Sequence, residues 1–510
     1  MRGWLELLPA RVLAARPVLG NALAGALLST GRFEEVDGYL CDVERWLDER
    51  GAADPGAGQP GDSNEARRLP AAVAVHRAGL SLVTGDPSAT VAHARRALAL
   101  IDQAPDLLEA DRHLGRAAAG ALIGLASWSG GDLETAREAY VTSVSSMRRA
   151  GHRADVLGLS LALADILIAQ GQLRAALRTF ESALPLPSEP GHPALRGTAD
   201  MLVGSSVLYL ERNELTQARN LLARSDELGE HNGLPQNRYR RQVALAGICA
   251  AEGDLERAAI LLAEAERVYV GDFSPNVRPI PARRARMHLR RGHLDEALEW
   301  AHGQGLSADD DLSYRLEYEH VTLARILLAR HERESDGDAL DVATRLLDRL
   351  LRAADAGHRN GSVIEILILQ ALANRTRGDL AAAVPLDRAL RLAEPEGYVR
   401  IFVDEGAAMA GLLEAATRRR TAPGYARALL SALGPVASPA PDRPLLIEPL
   451  SVRELDVLRL LATDLGGPDI ARRLVVSLNT VRTHTKNIYS KLGVNNRRSA
   501  VRRAHELDLL

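Results

Sequence analysis

The chain has 510 residues, which is long enough for several domains or for a repeat array with an added module. Hydrophobic residues make up 46% and charged residues 25%, as in ordinary soluble proteins, whereas aromatic residues make up only 4%. The formal net charge of −3 argues against a protein whose whole surface binds polyanions, and two cysteines exclude a disulfide framework.

The amino-terminal segment and the hydropathy of the chain bear on its location. No uncharged apolar run reaches about 18 residues, so no membrane span is predicted. Residues 1–28 are apolar but are interrupted by Glu6, Arg11 and Arg16, and they do not resemble a secretion signal. We therefore expect a cytoplasmic protein.

Lysine is confined to one short segment, since the chain contains only Lys486 and Lys491. A phosphate-binding loop of the GxxxxGK[ST] type needs its lysine on the β- and γ-phosphates, and none is available before residue 486. Nucleotide hydrolysis by such a loop is excluded within this polypeptide. The sequence also has no nucleophile elbow, no HExxH and no cluster with metal-ligand spacing, so we predict no catalytic residue, metal or cofactor and no enzyme.

A short signature recurs with a period of about forty residues over much of the chain. It joins a turn-forming residue, a polar residue, a Leu and, three residues further, an Ala. Copies begin at Gly131, Gly171, Asn213, Gly253, Gly292, Asp338 and Gly378, with weaker copies at Gly31 and Gly85. Gly or Asn accepts the left-handed backbone that ends a helix, so each period is predicted to be a helical hairpin.

Each predicted hairpin leaves an apolar face open, so neighbouring hairpins must stack into a superhelix. The pattern resembles the tetratricopeptide class, although its units are longer than usual. We therefore predict an all-α fold, with a tetratricopeptide-like helical superhelix over residues 1–433. An unrelated all-α bundle is the alternative. Residues 434–449 contain five prolines and are predicted to be a semi-rigid linker between domains.

Residues 450–510 are predicted to form a small four-helix domain built around a helix-turn-helix. Ser451 and Glu454 have the spacing of a capping box at the start of the first helix. The second helix is expected to begin at Pro468 with Gly467 as its cap. Ser477 is expected to cap a third helix over residues 478–492, which Gly493 ends.

The third helix has one apolar face and one polar face, which suits a major groove. Val481, Thr485, Ile488 and Leu492 are expected to pack on the other helices. Arg482 and Lys486 can reach guanine O6 and N7, and Thr483 can touch a thymine methyl group. Phosphate contacts are predicted for Asn479, Thr480, Asn487 and Lys491, and for Arg497 at the start of the fourth helix.

The complete four-helix pattern, with its tight turn and the proline-rich stretch before it, favours DNA binding over a merely solvated basic face, and the charge distribution agrees. Residues 450–510 hold 11 Lys/Arg and 6 Asp/Glu, so positive charge is concentrated in the predicted helix-turn-helix domain of an acidic chain. His484 borders the apolar stripe and is interpreted as structural.

The same sixty residues resemble the LuxR-type DNA-binding domain of bacterial transcription regulators. The matching positions are Leu450, Ser451, Arg453, Glu454, Leu458, Leu461, Ile470, Ala471, Leu474, Ser477, Thr480, Val481, His484, Ile488, Lys491, Leu492, Gly493, Val494, Arg497 and Ala500. The sequence departs from the pattern at Asp464, where Gly is frequent, and at Gly466 and Gly467, which replace a frequent Ser-Asn pair.

The linkage of this domain to a helical repeat array, together with residues 394–406 (EPEGYVRIFVDEG), further resembles the large MalT-like regulators. The resemblance implies a transcription regulator that binds promoter DNA as a dimer or higher oligomer and contacts RNA polymerase, in the nucleoid-associated part of the cytoplasm. It also implies an array that senses a small-molecule or protein inducer. The amino-terminal nucleotide-binding domain of that group is expected to be lacking. The alternative function is an interaction scaffold with a vestigial DNA-binding module.

Overall fold

The computed structural model describes residues 12–13, 16–52, 64–104, 107–184, 194–271, 274–375, 379–434, 452–463, 465–474, 476–492, 494 and 496–506. These residues form helices and connecting turns without a strand, as the sequence predicted. The chain divides into two compact units, Met1–Leu433 and Gly434–Leu510. Residues 435–449 of the predicted linker (434–449) lie outside the described residues. No described helix is long and apolar enough to cross a membrane.

The repeat unit is built from helices connected mostly by tight turns. Its first helices are α1 (Pro17–Leu28), α2 (Val36–Ala52), α3 (Asn64–Val83), α4 (Pro87–Asp102), α5 (Glu109–Gly130), α6 (Leu133–Arg149), α7 (Arg153–Ala169), α8 (Leu173–Ala183), α9 (Thr198–Glu211), α10 (Leu215–Glu227) and α11 (Asn237–Ala251). It continues with α12 (Leu255–Arg267), α13 (Ile280–Arg290), α14 (Leu294–Gly303), α15 (Glu317–Glu334), α16 (Gly337–Ala356), α17 (Asn360–Asn374), α18 (Asp379–Ala393), α19 (Arg400–Val403), α20 (Gly406–Arg419) and α21 (Pro423–Leu433).

The recurring signature forms the turn of five successive hairpins, as predicted, at Gly131, Gly171, Asn213, Gly253 and Gly292. Gly131 has a φ of 86°, and Asn213 adopts the same left-handed conformation with a φ of 62°. At Gly131 the amide of the next residue, Asp132, donates to the carbonyl of Ser127 at 3.0 Å, which closes the end of α5. The Asp132 carboxylate then accepts from the Thr135 amide at 3.1 Å and starts α6.

The alanine of the signature explains why the two helices of a hairpin can pack closely. Its side chain has no exposed surface in five successive copies, at Ala136, Ala176, Ala218, Ala258 and Ala297. A larger side chain there would have to displace the facing helix, because interiors are close-packed.

The copy assigned to Asp338 has its turn three residues earlier. Ser335 holds the left-handed conformation with a φ of 55°, and Asp336 caps α16 by accepting from the Ala339 amide at 3.1 Å. Asp338 lies within the first turn of the helix. Ala343 remains fully buried, because adding about one helical turn leaves the same face toward the core. Gly378 lies outside the described residues.

Early and late hairpins also touch each other, which the stacking of neighbours alone does not require. The Trp128 indole nitrogen donates to the Tyr314 hydroxyl at 3.1 Å. A Cβ placed on Gly361 would lie 2.9 Å from the carbonyl oxygen of Ile168, so α17 approaches the end of α7 backbone to backbone. One hydrophobic core accordingly runs from Leu125 to Leu429.

The carboxy-terminal unit contains α22 (Val452–Leu461), α23 (Gly467–Leu474), α24 (Leu478–Leu492) and α25 (Arg497–Glu506). Each of α22, α23 and α25 contacts α24. The unit has its own core, which includes Leu458, Ile470, Val481, Ile488 and Ala500. The predicted order of four helices around a helix-turn-helix is therefore present.

Candidate functional site

Side-chain hydrogen bonds cap the amino-terminal ends of both helices of the helix-turn-helix, α23 and α24. The Ser477 hydroxyl accepts from the Thr480 amide at 3.1 Å and lies 2.8 Å from the Thr480 hydroxyl, so Ser477 caps α24 as predicted. Helix α23 begins at Gly467, one residue before the predicted start. Its cap is Gly466, whose amide donates to the Asp469 carboxylate at 3.3 Å.

Helix α24 has the predicted division into a packed face and an open face. Val481 and Ile488 are buried, whereas Thr485 is half-buried and donates from its hydroxyl to the Val481 carbonyl at 2.8 Å. The open face is exposed at Asn479, Arg482, Thr483, Lys486 and Asn487. The side chain of Leu492, together with Ser451 and Gly493, lies outside what the structure describes.

Two predicted phosphate ligands have partners inside the module. The Lys491 ammonium lies 2.9 Å from the carboxylate of Glu454, whose side chain is only 4% exposed. Arg497 donates to the carbonyl oxygens of Leu461 and Leu465, each at 2.8 Å, and to that of Thr463. Lys491 thus joins α24 to α22, and Arg497 holds the end of α22 and the loop after it.

Thr480 is the third predicted ligand with an internal role. It is half-buried, and its hydroxyl is engaged with the Ser477 cap. His484 is half-buried beside the packed face. Burial raises the pKa of the Tyr489 hydroxyl.

The sequence prediction did not include a pair of basic residues at the end of α23, Arg472 and Arg473. Arg472 forms an ion pair with Asp469, whereas Arg473 is exposed and has no ion pair among the described residues. The Arg-Arg dipeptide in a short amphipathic helix was the available signal.

The repeat unit contains an open cavity of about 1000 Å³. Its wall includes residues of the 394–406 segment, among them Tyr398, Arg400 and Asp404. That segment is fastened to α9, because the Ile401 amide donates to the Glu211 carboxylate at 3.0 Å. Burial, reinforced by nearby Asp404, raises the pKa of Glu211 to about 7.

A second cluster of side chains lies at the turn between α13 and α14. The ligand atoms of His288, His293 and Glu296 lie within 4.8 Å of one another, a grouping that inspection for metal-ligand spacing did not find. Burial lowers the pKa of His288, and no hydrogen-bond partner is present for its buried Nδ1 among the described residues.

A helical repeat unit joined to a helix-turn-helix module defines a class of large bacterial regulators, and comparison with known proteins agrees with this architecture. The family model of the MalT-like TPR region matches residues 71–419. The model of bacterial regulatory proteins of the luxR family matches residues 448–504. The chain belongs to the MalT-like family and carries a LuxR-type helix-turn-helix domain.

Sequence similarity to curated MalT proteins extends over nearly the whole chain. The HTH-type transcriptional regulator MalT of Yersinia pestis (strain Pestoides F) is 25% identical over 541 aligned residues, which cover 99% of this chain and 55% of MalT. MalT of Yersinia enterocolitica serotype O:8 is 26% identical over 67% of this chain and 40% of its own length. The chain thus spans about half the length of the curated relatives it matches.

Two solved structures have a partial likeness to this chain. A Rap protein complexed with Competence and Sporulation Factor has a TM-score of 0.48 at 11% identity and covers 75% of this chain and 99% of its own. The apo form of RapI has a TM-score of 0.43 at 12% identity, with 77% and 99% covered.

Proposed function

We propose that the protein is a sequence-specific DNA-binding transcription regulator that places α24 in the major groove. The observation that carries this proposal is the exposure of five polar side chains along one face of α24, while Val481 and Ile488 anchor its back. A rigid helix with a free Arg, Lys, Asn and Thr face has the side chains that read base edges.

Within this docking, Arg482 and Lys486 bind guanine O6 and N7, and Thr483 touches a thymine methyl group. Asn479 and Asn487 contact phosphates, and Arg473 is an added phosphate ligand because it is exposed and cationic. We revise the predicted roles of Thr480, Lys491 and Arg497, whose polar groups are engaged within the module. We infer that these three residues position α24 and contribute little of the free energy of DNA binding.

The repeat unit acts as the sensing module in this proposal, and its cavity is the place where an inducer binds. Two or more modules bind half-sites about one helical turn apart and present the protein to RNA polymerase, in the cytoplasm at the nucleoid. The family membership and the presence of a cavity in the repeat unit support this proposal.

The test is selection of preferred sequences from a random duplex pool by the full chain, followed by mobility-shift titration of variants. Arg482→Ala is expected to cost about 1–3 kcal/mol of binding free energy on the preferred site and to relax the preference at one base position. Arg459→Ala is the matched control, since Arg459 is an exposed arginine of α22, and it should leave the base preference unchanged.

Two results would count against the proposal. If the Gly434–Leu510 fragment and the full chain both fail to bind any duplex at low salt, the scaffold function is favoured. If Arg482→Ala and Arg459→Ala weaken every sequence equally, α24 does not read bases.

A further inference from the structure

We propose that the cavity of the repeat unit binds a small organic anion, carrying phosphate or carboxylate groups, through Arg278 and Arg283. This inference rests on the proposal that the repeat unit senses a ligand, and it names the chemical class of that ligand. Nothing in the family match requires an anionic ligand, so the argument depends on the residues of the cavity alone.

Arginines outnumber carboxylates among the described residues of the cavity wall, and the carboxylates already have partners. Glu365 lies 2.6 Å from Arg286 and 2.9 Å from Arg325. Arg325 also binds Glu405 at 2.8 Å, and Asp404 pairs with Arg400. Glu332 lies 3.8 Å from Arg375, and Glu211 accepts from the Ile401 amide. Each carboxylate of the wall therefore has a partner other than Arg278 and Arg283.

Arg278 and Arg283 are left without an ion pair among the described residues. The Nε atom of Arg283 donates to the backbone carbonyl of Arg278 at 3.2 Å, which leaves the rest of both guanidinium forks without carboxylate partners. Arg283 is half-buried, so its charge is costly unless an anion faces it, whereas Arg278 is exposed and its donors are open to a ligand. Paired forks of this kind match phosphate and carboxylate groups, which accept two parallel hydrogen bonds.

Tyr318 holds the cationic groups around a single ring. The guanidinium carbon of Arg286 lies 3.6 Å from the ring centroid, and those of Arg283 and Arg278 lie at 5.8 and 6.0 Å. Attraction to the ring face favours these positions and lowers the entropy that ligand binding must remove. The arginines are thus arranged before any ligand arrives.

Repulsion by neighbouring cations affects the ionisation of Arg283, whereas Tyr318 and Glu365 raise the pKa of Arg278. Burial, together with the charges of Arg278, Arg286 and Arg240, lowers the pKa of Arg283. Arg240 lies outside the cavity wall and is itself paired with Asp165. An anion between Arg278 and Arg283 would remove this repulsion.

The size of the cavity favours a small molecule over a peptide. A volume of about 1000 Å³ is at the upper end of the range of small-ligand pockets. Apolar side chains such as Val207, Val243 and Met287 contribute to the wall beside the arginines. A ligand with an anionic group and a short organic body fits this combination.

The experiment measures binding to the full chain by calorimetry and by the rise in unfolding temperature. The probes are inorganic phosphate, citrate and glucose 6-phosphate, with glucose as the neutral counterpart. Citrate or glucose 6-phosphate should bind, while glucose should not. Arg278→Gln and Arg283→Gln should each weaken binding about ten-fold, as expected for one charge-assisted hydrogen-bonding group.

Arg284→Gln is the matched control. Arg284 is adjacent in sequence, pairs with Glu266 and does not line the cavity, so its substitution should leave anion binding unchanged. Without added anion, Arg283→Gln should unfold at the same temperature as the parent chain or higher, because it removes a repelling cation. A lower unfolding temperature would assign Arg283 a structural role and overturn the inference.

Other outcomes separate this inference from the proposed function. Anions that stabilise the parent chain and an Arg278→Gln/Arg283→Gln variant equally act through the solvent, which overturns the site. An acidic peptide that binds where citrate and glucose 6-phosphate do not would assign the cavity to a peptide and overturn it as well. Anion binding by a chain that fails to bind DNA rejects the proposed function alone, and the converse result rejects the anion site alone.

Discussion

Lys491→Ala should damage the folding of the carboxy-terminal module more than its contacts with DNA. The substitution removes the ammonium that lies 2.9 Å from Glu454, a carboxylate whose side chain is 4% exposed. Removing one member of a buried ion pair costs about 3 kcal/mol. In a domain of this size, each kcal/mol lowers the unfolding temperature by about 4–8 °C, so a fall of roughly 12–24 °C is expected.

The chain provides its own control, because its other lysine lies on the same helix. Lys486 is exposed, so Lys486→Ala should change the unfolding free energy by less than about 0.5 kcal/mol. It should instead weaken binding to the preferred duplex by about 1–3 kcal/mol. Circular dichroism melting of the Gly434–Leu510 fragment gives the unfolding free energy. Mobility-shift titration below the melting range gives the free energy of DNA binding.

The reasoning is refuted if Lys491→Ala melts with the parent fragment and lowers DNA affinity as Lys486→Ala does. A double substitution tests the cause independently. Replacing the pair by Glu454→Leu and Lys491→Met should recover most of the lost stability, since apolar side chains of similar size often substitute well for a buried ion pair.

Three further changes probe other parts of the structure. Arg497→Ala removes donors to three carbonyl oxygens and should cost about 2–3 kcal/mol in melting experiments, so an unchanged melt would contradict its structural role. The folded-state pKa of Glu211, about 7, exceeds its ordinary value of 4.5, so its contribution to stability is complete below about pH 4.5 and is lost as pH rises through 7. Glu211→Gln should flatten the decline of melting temperature across that range, and an equally steep decline would point to another group. Gly171→Ala should lower the unfolding free energy more than Gly253→Ala. Both glycines have a positive φ, but only at Gly171 would an added Cβ meet Asn360, at 2.9 Å. Equal losses of unfolding free energy would contradict that contact.

Local features were predictable because their signals lie within a few residues. The turn residue and the polar cap of each hairpin are neighbours in sequence, and the spacing of Leu and Ala follows the helical period. Helix α24 was equally predictable from the sequence, since Ser477, Val481 and Ile488 determine its start and its buried face. The position of Asp338 was misjudged because the same face recurs after one added turn.

The partners of charged side chains were not predictable in this way. Lys491 and Glu454 are 37 residues apart, and nothing in the sequence between them indicates that they meet. The same holds for Arg497 and for the unpaired arginines of the cavity, because one Arg in an Arg-rich chain carries no sign of its partner. Arg278 and Arg283 become informative only when the positions of Glu365 and Glu405 are known.

The contact of early with late hairpins changes how this array would come apart. Trp128 and Tyr314 are 186 residues apart, and α17 approaches the end of α7 so closely that a Cβ on Gly361 would lie 2.9 Å from the Ile168 carbonyl oxygen. A single cleavage of the backbone between α10 and α11 would therefore leave two fragments that remain associated through these long-range contacts. Melting of the intervening hairpins should be all-or-none, unlike that of an open solenoid, which frays from its ends.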